Sequence, residues 1–192
     1  MRAIVAFDTR YGNTEKVARA LAKGIQENSI ETTCSNINDL QISTLIEYDL
    51  LAIGGPTQYH GASEPMKDFL EKLQGVNLKG KFGFAFDTRL TSFWSGSAAQ
   101  AIERKIERYG VEIVRPYSSA FVKHTETGVE EKTEARETKE ERRARKAKVK
   151  EERRASAVLE EGAEDTFEKI GMEIGRILQN KSKTASVSAR SI

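Results

Sequence analysis

Seven consecutive residues, Asp8-Thr9-Arg10-Tyr11-Gly12-Asn13-Thr14, gather hydroxyls, an amide and a glycine, with the Tyr11 ring as their one apolar group. Such residues can hold an anion through neutral donors. Ahead of them runs Ala3-Ile4-Val5-Ala6-Phe7, a continuous apolar stretch that reads as a strand buried on both faces. Behind them, from Glu15 to Gln26, Val17, Ala20, Leu21 and Ile25 recur at helical spacing. A loop leading from strand into helix aims backbone N–H groups at one point, where the helix dipole adds roughly half a positive charge. The loop is therefore a candidate phosphate cradle. Gly12 permits close backbone approach. Thr9, Asn13 and Thr14 supply the donors, and Arg10 is a candidate charged contact, although a surface-loop arginine is ordinarily just solvated.

The elements that must carry this loop alternate along the chain. Asp49 to Gly55 is a second buried strand ending in glycines. Ser63 is placed to cap the next helix, with Pro65 in its first turn and Met66, Phe69, Leu70 and Leu73 as its apolar stripe. Lys81 to Phe86 is a third strand, followed by a loop from Asp87 to Gly96. A helix from about Ser97 to Tyr109 buries Ala98, Ala101, Ile102 and Ile106; Gly110 stops it, and Val111 to Val114 begins another strand. Asp165-Thr166-Phe167-Glu168 has capping-box spacing and opens a helix with Phe167, Ile170, Ile174, Ile177 and Leu178 on one face. Glu31 to Ile37 is polar and reads as an edge strand. This alternation predicts an α/β fold with a parallel sheet and helices on both faces, binding its ligand beyond the carboxyl ends of the strands.

Composition narrows the function class. The 192 residues suffice for one domain with an added segment. A net charge of +2 gives no overall argument for nucleic acid or a membrane surface. Cys34 is the sole cysteine, and His60 and His124 lie far apart, so neither an internal disulfide nor a metal site is expected. No apolar run nears the ~20 residues of a membrane span. The chain begins directly with a strand and shows no leader, and a cytoplasmic location is the expectation.

Taken together, three loops resemble those of the flavodoxin family. Thr9 to Thr14 is similar to its phosphate loop, with Tyr11 in place of the middle threonine. That tyrosine also occurs in flavodoxin-like quinone reductases and in the flavodoxin module of flavodiiron proteins. Gly55-Pro56-Thr57-Gln58-Tyr59-His60-Gly61 resembles the loop covering one face of the flavin. Asp87-Thr88-Arg89, with Trp94, Ser95-Gly96-Ser97 and the following helix, resembles the second flavin loop. The resemblance implies a doubly wound five-stranded parallel sheet of order 2-1-3-4-5 with FMN at the switch point, a placement for which flavodoxin is itself the reference case. It covers residues 1–128 and 159–179. It also implies that Thr9 to Thr14 hold the phosphate and that Pro56, Thr57, Gln58, Tyr59, His60, Gly61, Asp87, Thr88, Arg89, Trp94 and Gly96 surround the ring. Tyr59 and Trp94 are the stacking candidates because both fall in polar loops, with His60 and Phe93 behind them. His60 titrates near neutrality, but its plain reading is a solvated loop histidine. His60-Gly61 is the implied peptide that turns its carbonyl toward the flavin, which glycine permits without steric cost.

Residues 129–158 interrupt the family pattern with a charged insertion, either helical or disordered. Val129 to Ala155 holds 11 Lys or Arg and 8 Glu, leaving the remainder of the chain at −1 and without the acidic surface common in flavodoxins. Arg142 to Lys150 has six basic residues and no acid. It has no interleaved aromatics, which argues against nucleic-acid binding, and no apolar stripe to dock it. Residues 180–192 read as a frayed, disordered tail. Three functions follow in order. The first is an FMN-binding carrier of single electrons between redox partner proteins, with no catalytic residue of its own. The second is an FMN-dependent quinone or protoporphyrinogen reductase. The third is a non-catalytic module that uses the insertion to bind a partner.

Overall fold

The computed structural model describes residues 1–59, 61–91, 96–124 and 138–188, without the side chains of His124, Arg153 and residues 184–188. In chain order the elements are β1 (Arg2–Phe7), α1 (Asn13–Gln26), β2 (Glu31–Asn36), β3 (Leu50–Gln58), β4 (Gly61–Ala62), α2 (Glu64–Lys72), β5 (Phe82–Leu90), α3 (Ala98–Arg108), β6 (Glu112–Ile113), β7 (Ser118–His124), α4 (Lys139–Ala155), β8 (Ala157–Leu159) and α5 (Ala163–Ser188).

The main sheet runs β2-β1-β3-β5-β7-β8. Its first five strands are parallel and reproduce the expected 2-1-3-4-5 order. The alternation within β1 divides the core in two. Ala3, Val5 and Phe7 pack beneath α1 and α5, while Ile4 and Ala6 face α2 and α3. The polar β2 is indeed an edge strand, paired only to β1.

Five boundaries differ from the sequence reading. β3 and β5 run past their apolar stretches to Gln58 and Leu90, because each remains paired: Gly55 and Pro56 face Asp87 and Thr88, and Asp87 through Leu90 face Ser119 through Val122. The strand begun near Val111 spans only Glu112–Ile113 and resumes at Ser118. Pro116, which lacks an N–H to give the ladder, lies in the gap. α5 opens at Ala163, so Asp165 sits in its first turn rather than at its cap. The same helix continues to Ser188, well beyond the point where the tail's composition suggested fraying.

The insertion adds structure that the sequence left open. Its described part is α4, opened by a capping box in which Thr138 and Glu141 bond each other's backbone N–H groups. Glu141 is consequently held below the ordinary carboxylate range by the Thr138 backbone and hydroxyl donors. After α4, β8 pairs antiparallel with β7 and extends the sheet by a sixth strand.

Candidate functional site

β1, β3 and β5 end side by side, and a cavity of about 300 Å³ opens beyond them. Buried polar contacts fix the strand ends. The Asp8 N–H donates to the Gly54 carbonyl at 2.9 Å, and its carboxylate accepts the Ser63 hydroxyl. Ser63 in turn accepts the Met66 N–H and caps α2. These contacts lock the exit of β1 against β3 and the start of α2.

The loop after β1 is shaped by its own hydroxyls. Thr9 Oγ1 accepts the Gly12 N–H at 3.0 Å. Gly12 has φ 82°, in the left-handed region that suits glycine, and stands at the N-cap of α1 with no side-chain cap. The first-turn N–H groups of α1 therefore point outward without an intrahelical acceptor. Thr14 is buried, its hydroxyl 2.8 Å from that of Thr88 on β5. The Asn13 amide donates to the Ala157 carbonyl at 2.7 Å, tying the loop to β8.

Opposite lies a hairpin made by β3 and β4, with Thr57 facing Ala62 and Gln58 facing Gly61. Tyr59 follows β3 with a φ of 46°, the positive φ that a tight hairpin turn needs at its first position. The turn thrusts the ring outward, leaving Tyr59 79% exposed. A Cβ built on Gly61 would meet nothing within 4 Å.

Thr9, Arg10, Tyr11, Asn13, Thr14, Pro56, Thr57, Gln58, Tyr59, Thr88 and Arg89 all line the cavity. Gly12, Gly61, Asp87 and Gly96 do not. Asp87 is turned inward instead. One carboxylate oxygen accepts the Thr57 hydroxyl at 2.9 Å, the Ser97 hydroxyl at 2.8 Å and the Ala99 N–H at 3.1 Å, bracing the start of α3. Gly96 contributes its carbonyl to the Arg89 guanidinium at 2.8 Å. Arg89 also lies over Phe121, and its buried Nε has no hydrogen-bond partner among the described residues. His60 and Trp94, and Phe93 beside it, lie outside the described residues.

Sequence reasoning missed one whole wall. Leu90 and Val122 come from strand ends, whereas Lys150, Arg154 and Ala157 come from the insertion and its following strand. Glu151 on α4 forms an ion pair with Arg10 at 2.6 Å and accepts the Tyr11 hydroxyl. Burial, then the bond to Glu151, raises the Tyr11 phenol above its ordinary range. The available signal was the apolar triplet Ala157-Val158-Leu159 just after the charged stretch, which is short and β-compatible.

The flavodoxin family model matches residues 5–144. The flavodoxin of Clostridium saccharobutylicum is 30% identical over 89 residues, covering 46% of this chain and 56% of that protein. A nitric oxide reductase of Moorella thermoacetica is 27% identical over 118 residues, covering 59% of this chain and 29% of that protein. The chain thus spans little more than half of the first relative and under a third of the second. Among solved structures, a flavodoxin from the domain Archaea has a TM-score of 0.69 at 22% identity, over 93% of this chain and 99% of the other. With most of its length matched by the family model, the chain belongs to the flavodoxin family, and its cofactor is FMN.

Proposed function

We propose that this protein is an electron carrier that takes up and passes on single electrons between redox partner proteins, using FMN held in the cavity beyond β1, β3 and β5. One observation carries the reading: the uncapped start of α1 and the exposed Tyr59 ring face the same cavity. The first can take a phosphate and the second a planar ring. The residues present fit FMN on two further counts. Among the described residues, the lining includes Arg10, Arg89, Lys150 and Arg154 but no carboxylate. The buried Arg89 Nε finds no acceptor among the described residues.

Thr9, Asn13 and the α1 backbone would hold the phosphate, and Tyr59 would cover the ring. Bound there, FMN supplies the electron-accepting group. The chain's part is to bind it, orient it and exclude water from it. α4 also fills one side of the cavity, which suits a carrier that buries its cofactor better than an enzyme that must admit a substrate beside it.

The test is a titration of apoprotein with FMN, followed by anaerobic reduction and mixing with one-electron acceptor proteins. The expected result is stoichiometric FMN binding, about tenfold weaker in Tyr59→Ala as befits loss of an aromatic contact worth ~1.4 kcal/mol, and transfer to protein acceptors. A protein that binds no FMN overturns the proposal. Rapid NAD(P)H-driven quinone turnover without a partner protein would assign it to the reductase class instead.

A further inference from the structure

α4 meets the cavity at three successive points. Glu151 holds Arg10 and Tyr11 at the loop after β1. Lys150 and Arg154 lie four residues apart, and so share one helical face. Their charged ends stand 6.0 and 5.5 Å from the centre of the Tyr59 ring. The charge of Glu151 is engaged by Arg10, and among the described residues Lys150 and Arg154 form no ion pair of their own. The insertion thus delivers two cations to the Tyr59 ring, while Glu151 between them holds the loop that leads into α1.

We propose that Lys150 and Arg154 are specificity-determining residues for the redox state of the bound flavin. Resting on the reading that FMN occupies this cavity, they bind the electron-rich reduced ring more tightly than the oxidised one. The physical ground is Coulombic. The ring gains negative charge on reduction, while the phosphate charge does not change. Cations beside Tyr59 therefore favour the reduced form selectively, in a cavity lined by no carboxylate among the described residues. Partial exposure limits the effect of each to about a tenfold preference, which is about 30 mV for a two-electron couple. A chain without α4 would lack this bias.

The experiment measures the dissociation constants of oxidised and reduced flavin and the midpoint potential by anaerobic spectroscopic titration. Wild type is compared with Lys150→Gln, Arg154→Gln, the double variant, and Lys148→Gln, an exposed cation of the same helix that does not line the cavity. Each arm is run with FMN and with riboflavin, which has no phosphate. The proposal expects the double variant to lose about a hundredfold of its preference for the reduced form, lowering the potential by about 60 mV. It expects the same shift with riboflavin and none in Lys148→Gln. An unchanged potential overturns it. So does weaker binding confined to FMN, which would make the two residues phosphate contacts, and so does an equal shift from Lys148→Gln. A wild-type protein that binds neither flavin instead overturns the underlying functional reading, before any variant is compared.

Discussion

Asp87 shows how far a residue's type can be read and where reading stops. Its place after a buried strand marks it for the site by resemblance, yet the cavity is lined by its neighbours Thr88 and Arg89. Side chains alternate along a strand, so Thr88 reaches one face while Asp87 turns to the other, beneath the start of α3. There a fully buried carboxylate collects three donors from β3 and α3. Asp87→Ala would strand those donors and should cost roughly 3 kcal/mol, with Asp87→Asn costing less because its carbonyl can still accept them. Chemical denaturation of the apoprotein measures both. Thr9, Asn13 and Thr14 were legible as a cluster at the strand end because the strand–loop–helix context brings them there, and all three line the cavity. Asp87 was not, because its inward turn depends on pairing with β7 that continues past the apolar stretch.

At the scale of elements, the cradle is only as well placed as α1, and α1 is clamped by α5 through glycines. A Cβ on Gly171 would lie 2.2 Å from the Leu21 carbonyl oxygen, and one on Gly24 would lie 1.9 Å from that of Glu168. The two helices therefore touch backbone to backbone, and Asn28 reaches across to donate to the Met172 carbonyl at 3.1 Å. Gly171→Ala should destabilise the fold by about 3 kcal/mol, since the Leu21 carbonyl cannot retreat without moving a helix. Thermal and urea unfolding would show the loss. The apolar stripe of α5 was visible in the sequence, with Phe167, Ile170, Ile174 and Leu178 all buried as expected. The clamp was not visible, because a glycine in a helical pattern signals weakness locally, and only its partner reveals a close approach.

Over the whole molecule, the insertion is peripheral to folding and central to the site. No α4 residue belongs to either core cluster among the described residues. Its ties to the cavity are exposed ion pairs and ring contacts, which contribute little to stability. Replacing residues 125–156 with an Asn-Gly turn between β7 and β8 should therefore shift unfolding by under about 1 kcal/mol. The same change should speed FMN release at least about tenfold, as read by stopped-flow fluorescence. The alanine, glutamate, lysine and arginine of this segment favoured helix but left disorder equally open. Its destination was not legible, because a helix without an apolar face names no partner until three dimensions supply one. The way the segment leaves and rejoins the sheet has a wider consequence. Val122 faces Leu159 and His124 faces Ala157, so the chain departs and returns at the same rung of one ladder. Lengthening such an excursion costs only about 0.6 kcal/mol per doubling. The fold thus carries a socket at the rim of its cavity, where evolution or a protein engineer can exchange one graft for another while the sheet register stays fixed.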